Sequence, residues 1–248
     1  MPKVLILGGT TESAALAKYL AKDGGFVPIT SLAGRTRNPA IVSGAMRQGG
    51  FGGIGGFVDY LGADNIDAVV DATHPFAEQI SSNAVDACIQ TKTPLIRLTR
   101  APWIANADDQ WTAVSSVIEA AESLPLNART FVTTGRQELA PFLSRRDLWN
   151  LVRVIDPLDK IIESSQGVVI TGRGPFSVND EIAILRKYKI NWLVSKNSGG
   201  AASYAKIQAA RSLAIPVMMV GRAVLIDRPV NECETVEQVF AWLEKLFN

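Results

Sequence analysis

A run of glycine and hydroxyl residues near the start of the chain is the pattern best suited to chemistry. It reads Gly8-Gly9-Thr10-Thr11-Glu12 and follows the apolar stretch Val4–Leu7. A strand, a glycine turn and a helix start in this order aim backbone N–H groups and the positive end of a helix at one point. That point suits a phosphate, so the run predicts a nucleotide site. An ordinary tight turn is the alternative, because the spaced glycines of the G-x-G-x-x-G fingerprint are missing.

A literal G-x-G-x-x-G occurs later, at Gly50-Phe51-Gly52-Gly53-Ile54-Gly55. The preceding Met46-Arg47-Gln48 does not have the composition of a strand, so the strand–turn–helix context is not expected there. We therefore do not assign the primary dinucleotide fingerprint to this loop. Its glycines would still allow the backbone to lie close against a ligand.

The end of the second predicted strand, Phe26–Ser31, distinguishes between the two nicotinamide cofactors. A site that prefers NAD carries Asp or Glu here to hold the ribose 2′-hydroxyl, and this strand ends in serine. Arg35 and Arg37 follow within six residues, and a guanidinium pairs well with a phosphate. The pattern favours NADP over NAD, with a solvated basic loop as the alternative.

The only histidine, His74, follows the predicted strand Ile66–Asp71. Pro75 fits the first position of a helix, which places Thr73 or His74 near its N-cap. A lone histidine is often a hydrogen-bonded structural group. This turn is nevertheless expected to face the reactive end of a bound dinucleotide.

Three arginines, Arg136, Arg173 and Arg222, each follow an apolar strand and a glycine. If those strands are parallel, all three side chains emerge at the carboxyl edge of one sheet, where ligands bind in open α/β folds. We expect an anion-binding rim at this edge. Chance placement, or capping of nearby helices, is the alternative for each arginine.

Composition restricts the classes of protein. The 248 residues are 47% hydrophobic and carry a net charge of +1, so an ordered core is expected and a strong field toward nucleic acid is not. No apolar run approaches the ~18 residues that span a bilayer, which predicts a soluble, cytoplasmic protein. Cys88 and Cys233 are expected to be buried thiols, and one histidine with two scattered cysteines predicts no metal site. The oligomeric state is not readable from the sequence.

Short apolar runs alternate with helical patterns along the chain, which predicts parallel sheets covered on both faces. The predicted strands are Val4–Leu7, Phe26–Ser31, Ile66–Asp71, Pro94–Leu98, Thr130–Thr134, Leu151–Ile155, Val168–Thr171, Trp192–Ser195 and Val217–Val220. The predicted helices are Ser13–Ala21, Phe76–Thr91, Ser115–Ser123, Asp180–Lys189, Ala201–Leu213 and Thr235–Phe247. We expect two Rossmann-like α/β domains, residues 1–125 and 126–248, joined near Leu124–Ala128, with a ligand cleft between them.

Four stretches of the sequence together resemble the precorrin-6A reductases of corrinoid biosynthesis. The stretches are Gly8–Glu12, Ser31–Arg35, Asp71-Ala72-Thr73-His74-Pro75-Phe76-Ala77 and Ser195–Gly200. The third is the most specific, and the resemblance runs nearly end to end. It implies an NADPH-dependent enzyme that reduces one C=C bond of a tetrapyrrole-derived macrocycle to give precorrin-6B. Some relatives act on the cobalt-containing equivalent.

The motifs and the resemblance together assign candidate site residues. Those expected to bind the cofactor NADPH are Gly8, Gly9, Thr10, Thr11, Glu12, Ser31, Leu32, Ala33, Gly34, Arg35, Arg37, Thr73 and His74. A precorrin carries a fringe of carboxylates, so its binding site calls for several cationic groups. Those expected to bind the substrate are Arg97, Arg100, Arg136, Arg173, Lys196, Ser198, Gly199 and Arg222.

The reaction also needs a proton for the carbon next to the one that receives hydride. Lys196, which follows the strand Trp192–Ser195, is the first candidate donor, His74 the second and Tyr204 the third. Lys196 as a simple partner for an anion, or delivery of the proton by solvent, are the alternatives.

Two other functions are alternatives to a reductase of this kind. A short-chain dehydrogenase needs a Tyr-x-x-x-Lys pair, and no tyrosine of the chain has a lysine four residues on. A non-catalytic NADP-sensing regulator is the alternative from a different class. It predicts a surface for a partner protein rather than a cleft ringed by arginines.

Overall fold

The computed structural model of the chain describes residues 1–34, 42–158, 166–223 and 230–248. The chain divides into two compact units. The first is Met1–Ala101 together with Val224–Asn248, and the second is Pro102–Ala223. Each unit contains one six-stranded parallel sheet with helices, which confirms the predicted fold class of two parallel-sheet α/β domains.

The elements of the described residues, in chain order, are as follows. The strands are β1 (Lys3–Leu7), β2 (Val27–Leu32), β3 (Ala45–Gln48), β4 (Ala68–Asp71), β5 (Leu95–Leu98), β6 (Trp111–Val114), β7 (Arg129–Val132), β8 (Trp149–Val154), β9 (Gly167–Thr171), β10 (Trp192–Lys196), β11 (Val217–Val220) and β12 (Asn231–Cys233). The helices are α1 (Thr11–Asp23), α2 (Gly53–Ala63), α3 (Glu78–Thr91), α4 (Val117–Ser123), α5 (Ala140–Ser144), α6 (Val178–Lys187), α7 (Ala205–Ser212) and α8 (Val236–Phe247).

The first strand shows why these apolar runs form parallel sheets. Val4 and Ile6 face one side of the sheet and pack with α1 and α8, whereas Leu5 and Leu7 face the other side and pack with α2 and α3. Side chains alternate across a strand, so a run buried on both sides must be apolar at every position.

The two sheets share the arrangement of five strands and differ in the sixth. The first reads β3-β2-β1-β4-β5-β12 and the second β9-β8-β7-β10-β11-β6. The sixth strand is the last of its sheet along the chain in the first unit (β12) and the first in the second unit (β6). In each, a central strand (β1 or β7) is followed by two strands that lead to one edge, and the chain then crosses back to the other side of that central strand. The direction therefore reverses between β1 and β4 in the first unit and between β7 and β10 in the second. The carboxyl ends at such a reversal form the crevice where open α/β sheets bind ligands.

The nine predicted strands and six predicted helices are confirmed, with ends shifted by a few residues. Three strands were not predicted: β3, β6 and β12 are short and each lies at a sheet edge. The statement that residues before Gly50 form no strand is wrong. β3 lies there and α2 begins at Gly53, so the loop does join a strand to a helix.

The domain boundary expected between residues 125 and 126 differs from the division in the structure. Leu124–Ala128 connects α4 to β7 inside the second unit, and β6 pairs with β11 of that same unit. At the other end of the chain, β12 pairs with β5 and α8 packs against the first unit. This pairing joins segments that are more than 100 residues apart, so the local sequence pattern does not show that β12 and α8 belong to the first unit.

A buried ion pair joins β8 to α6 in the second unit. The guanidinium of Arg153 donates to both carboxylate oxygens of Glu181, at 2.6 and 2.8 Å, and the two side chains are 8% and 2% exposed. The rings of Phe131 and Phe176 lie 4.7 and 4.0 Å from the guanidinium carbon. The pair therefore fixes α6 and the Phe176 segment against the sheet.

We expect Arg153→Ala to lower the free energy of unfolding by about 3–5 kcal/mol, because it leaves a buried carboxylate without its partner. Urea denaturation of wild type and variant measures the difference. The double variant Arg153→Met/Glu181→Leu removes both charges and is expected to lose much less. A single variant within about 1 kcal/mol of wild type would show that the pair contributes little.

Candidate functional site

The turn between β1 and α1 is built by a reciprocal cap. Thr10 Oγ1 accepts a hydrogen bond from the Ser13 N–H at 3.1 Å, and Ser13 Oγ accepts from the N–H groups of Gly9 and Thr10, both at 3.1 Å. These bonds satisfy several of the donors that a helix start leaves open. The turn is therefore ordered before any ligand binds.

Gly8 and Gly9 are required by the shape of this turn. A Cβ at Gly8 would come within 2.9 Å of Thr30 Cγ2 on β2, and Gly9 has φ +116° with nothing within 4 Å of its Cβ position. The first glycine lets the turn pack against the sheet, and the second leaves open space over the backbone. This open, glycine-lined helix start fits the pyrophosphate of a dinucleotide.

The turn after β4 lies beside this helix start. Thr10 Oγ1 donates to the Ala72 carbonyl at 2.8 Å, which links the two turns across the point where strand order reverses. The buried Asp71 carboxylate accepts from both the N–H and the hydroxyl of Thr73, at 3.1 and 2.7 Å. The structure thus brings Thr10 and Thr73 together, as the assignment of both to one cofactor site requires.

His74 lies in the same turn, but the helix starts later than predicted. α3 begins at Glu78 with Ala77 as its N-cap, so the expectation that Pro75 is the first helical residue is wrong. The segment before it is a tight turn, in which the Ala77 N–H donates to the His74 carbonyl at 2.7 Å. His74 Nδ1 accepts from the Phe76 N–H at 3.3 Å. A neutral imidazole in this arrangement carries its proton on Nε2.

The end of β2 carries no carboxylate in its described part. Ser31 is buried, Leu32 ends the strand, and Ala33 and Gly34 are exposed. Arg35 and Arg37, expected to meet a 2′-phosphate, lie outside the described residues.

Arg97 and Arg100, expected to bind substrate, belong to the first unit and form ion pairs there. Arg97 lies 3.7 Å from Asp71 and 3.3 Å from Glu232, and its side chain is 13% exposed. It therefore joins β5 to β4 and to β12. These two arginines belong to the first unit, whereas Arg136, Arg173 and Arg222 lie at the edge of the sheet of the second unit.

Arg100 pairs with Glu12 in the first turn of α1. Its Nη1 lies 3.0 and 2.9 Å from the two carboxylate oxygens. Burial alone would raise the pKa of Glu12, but the bond to its own backbone N–H and the Arg100 guanidinium outweigh it and lower the pKa. Glu12 and Arg100 thus sit charged beside the turn expected to hold phosphate.

Lys196 ends β10 on one side of the reversal in the second sheet, and Glu138 follows β7 on the other side. Lys196 Nζ lies 2.5 Å from Glu138 Oε2, and the lysine side chain is 14% exposed. The pair therefore crosses the place where this strand order predicts a ligand. Sequence reasoning found the lysine and missed the glutamate.

Thr134 adds a polar atom at the same carboxyl edge. It lies two residues after β7, is 8% exposed, and its hydroxyl is without a hydrogen-bond partner among the described residues. A buried hydroxyl in this condition costs free energy unless a ligand or water satisfies it. Thr134 was not among the predicted site residues.

The three strand-end arginines lie at the carboxyl edge of one parallel sheet, but they differ in environment. Arg136 and Arg173 are exposed. Arg222 is half-buried, and its Nε and Nη2 donate to the carbonyls of Asn197 and Ser198 at 2.9 and 3.1 Å. Arg222 thus holds the loop after β10 in place, and Arg136 and Arg173 are the better placed to meet an anion.

The loop after β10 is braced from several sides. Asn197 exchanges two hydrogen bonds with the backbone of Trp103, at 2.7 and 3.0 Å, and the Trp103 indole donates to the Gly200 carbonyl at 2.9 Å. Ser198 and Gly199, expected to bind substrate, are buried within it. The bracing holds Lys196, at the start of the loop, in a defined position.

Tyr204 does not join Lys196. Its hydroxyl accepts from Arg211 Nη2 at 2.8 Å, and Arg211 also pairs with Asp109 at 2.9 Å. Asp109 precedes β6, at the amino edge of the sheet, whereas Lys196 lies at the carboxyl edge. This placement argues against Tyr204 as the proton donor.

Both cysteines are free thiols; Cys88 is buried as predicted, whereas Cys233 is only half-buried. Burial, together with the charge of Asp71, raises the pKa of Cys88 to about 12. Burial, together with the charge of Glu232, raises the pKa of Cys233 to about 11. Such thiols are protonated at neutral pH and are poor nucleophiles.

The described residues contain no group of three or more His, Cys, Asp or Glu side chains arranged to hold a metal ion. No helix among them is both long and apolar enough to cross a membrane.

The chain is similar over its full length to one family of reductases. The family model described as "Precorrin-6x reductase CbiJ/CobK" matches residues 3–244. The precorrin-6A reductase of Rhodobacter capsulatus is 43% identical over 98% of this chain and 96% of its own length. The cobalt-precorrin-6A reductase of Priestia megaterium is 32% identical over 88% of this chain and 90% of its own length.

A solved structure agrees with the sequence comparisons. The structure described as "CobK precorrin-6A reductase" matches with a TM-score of 0.93 and 43% identity. The match covers 100% of this chain and 98% of that one. Similarity of this extent includes both units.

Proposed function

The chain belongs to the precorrin-6x reductase family, and from this premise we propose that it is an NADPH-dependent precorrin-6A reductase that gives precorrin-6B in cobalamin biosynthesis. The observation that carries the proposal is the full-length similarity to precorrin-6A reductases at about 43% identity. The resemblance noted from the sequence motifs is thereby confirmed at the level of the family.

The first unit would hold the cofactor, which supplies a hydride when bound. The glycine turn after β1 and the N-terminus of α1 would receive the pyrophosphate, with Thr10 and Thr73 beside it. Glu12 would act through Arg100 rather than on a phosphate directly, because their ion pair lies beside the turn. His74, in the same turn as Thr73, would present its Nε2–H to the cofactor.

The second unit would hold the macrocycle. Arg136 and Arg173 would pair with carboxylates of the substrate, and the buried Thr134 hydroxyl would donate to one of them. Exposed ion pairs are worth only about 0–1 kcal/mol each, so these contacts orient the ring more than they add affinity. Orientation is the main demand that a hydride transfer makes on the protein.

Lys196 would supply the proton. One carbon of the C=C bond accepts the hydride, the adjacent carbon accepts a proton from Lys196 Nζ, and solvent later reprotonates the amine. Glu138 would be a positioning residue that fixes the direction of Nζ through the ion pair. A positioned acid of this kind contributes roughly 10²–10⁴-fold to a rate.

The test is an assay of the purified protein with metal-free precorrin-6A and either NADPH or NADH, followed at the nicotinamide absorbance band. We expect consumption of NADPH that depends on the macrocycle and is slower with NADH. Faster turnover of the cobalt-loaded macrocycle would instead assign the substrate of the Priestia megaterium relative. Tight NADPH binding with no consumption would favour the non-catalytic sensor.

A further inference from the structure

Arg47 on β3 was not among the predicted site residues, but its side chain reaches the end of β2, where the cofactor preference is expected to be determined. β2 and β3 pair in parallel with Ser31 opposite Arg47. Arg47 Nη1 donates to Ser31 Oγ at 2.7 Å and to the Gly49 carbonyl at 3.2 Å, while Nη2 donates to the Gly50 carbonyl at 3.2 Å. The side chain therefore connects the carboxyl end of β2 to the residues that follow β3.

Aromatic rings fix the plane of the Arg47 guanidinium. Its central carbon lies 3.9 Å from the centroid of the Phe51 ring and 4.8 Å from that of Tyr60. Phe51 in turn stacks on Phe57, with centroids 3.9 Å apart and an angle of 2° between the rings, and Phe57 is fully buried. A cation held on an aromatic stack anchored in the core keeps its orientation without a ligand.

The hydrogen bonds leave part of this guanidinium for a ligand. Arginine has five N–H donors, and the bonds to Ser31, Gly49 and Gly50 use three of them. Within the described residues, Nε–H and one Nη2–H therefore remain. Because Ser31 Oγ accepts from Arg47, its own proton is directed to a different acceptor. Both side chains therefore keep at least one donor for an anion.

The position matches the part of a dinucleotide that differs between NAD and NADP. The end of the second strand is where the ribose 2′-position is recognised, by a carboxylate for a hydroxyl and by arginine for a phosphate. Here that end carries the Ser31 hydroxyl with a guanidinium beside it. A dianionic phosphate near these groups gains charge-assisted hydrogen bonds that a hydroxyl does not.

We propose that Arg47, together with the hydroxyl of Ser31, forms a recognition site for the 2′-phosphate of NADP and determines the cofactor preference. The inference rests on the proposed function only in requiring a nicotinamide dinucleotide in the first unit. It does not depend on Arg35 or Arg37, which lie outside the described residues. The Phe51 ring fixes the orientation of the Arg47 guanidinium, whereas an arginine in a solvated loop has no fixed orientation.

The test is calorimetric titration of the full chain with NADP⁺, NAD⁺ and the fragments 2′,5′-ADP and 5′-AMP. Arg47→Gln is expected to raise the Kd for NADP⁺ and 2′,5′-ADP at least about tenfold, as loss of a charged hydrogen bond requires. The Kd for NAD⁺ and 5′-AMP should change less than about twofold. Lys18→Gln removes one charge from an exposed site on α1 and serves as the matched control.

The outcomes separate this inference from the proposed function. If wild type binds NADP⁺ no better than NAD⁺, the proposed use of NADPH fails and the recognition site fails with it. If wild type prefers NADP⁺ and Arg47→Gln weakens both cofactors equally or neither, the site alone is overturned. Should Arg47→Gln not fold, Arg47→Lys and Ser31→Ala carry the same test, and unchanged NADP⁺ preference in both overturns the proposal.

Discussion

Replacing Lys196 with alanine is expected to lower kcat at least about 100-fold while the Kd for NADPH stays within about twofold of wild type. The expected loss is large because Nζ lies at the reversal of the second sheet, on a side chain that is only 14% exposed, with Glu138 beside it. The cofactor is expected to bind in the first unit, so its affinity should not change. Single-turnover kinetics with precorrin-6A measures the chemical step directly.

Two further variants make this result specific. Glu138→Gln removes the positioning partner and is expected to lower kcat by a smaller factor than Lys196→Ala. Lys187→Ala, at an exposed end of α6, is the control and should turn over like wild type. Unchanged turnover in Lys196→Ala would mean that solvent delivers the proton and that Lys196 is structural.

The double variant Arg136→Ala/Arg173→Ala is expected to raise the KM for the macrocycle at least about tenfold, with less than about a twofold change for NADPH. Each arginine follows a strand of the same parallel sheet and is exposed at its carboxyl edge. Two lost carboxylate contacts of about 0.7 kcal/mol each already account for this factor. Initial rates at varied precorrin-6A measure it.

Arg146→Ala is the control for the double variant, since Arg146 is exposed in the same unit but lies at the amino end of β8. Arg222→Ala offers a contrast. Because Arg222 bonds two carbonyls of the loop after β10, its loss should lower Tm as well as activity. If the KM for the macrocycle is unchanged in the double variant, Arg136 and Arg173 do not bind the substrate, and their positions after the strands are a matter of chance.

Apolar runs made most of the fold predictable. The central strands of both sheets are buried on both faces, so their sequences are continuous apolar stretches that stand out from the neighbouring segments. β3 and β12 lie at sheet edges, and Ala45-Met46-Arg47-Gln48 has neither β-branched residues nor alternation. Strand propensity cannot find such edges, because pairing with a neighbour determines them.

The candidate site was predictable where a motif is local. The turn of Gly8–Ser13 and the turn of Asp71–His74 each form within a few residues, and both lie at the reversal of the first sheet. Glu138 and Arg47 were missed because each acts through a residue on a neighbouring strand. Lys196 and Glu138 are 58 positions apart and meet only when β7 and β10 pair.

Several expectations about the site are not tested by the fold. The ligand cleft expected between the two domains stays a prediction, as do the roles assigned to His74 and to Leu32, Ala33 and Gly34. Arg97 is the clearest change in interpretation. Its strand-end position suggested a substrate contact, whereas its neighbours Asp71 and Glu232 make it a link between strands.

The direct test of hydride transfer to a corrin precursor uses NADPH with deuterium at both C4 positions and metal-free precorrin-6A. Mass spectrometry of the isolated macrocycle should show a product that has gained a single deuterium at the carbon that becomes saturated. A reduced product without deuterium, or oxidised cofactor beside an unchanged macrocycle, would contradict the assignment.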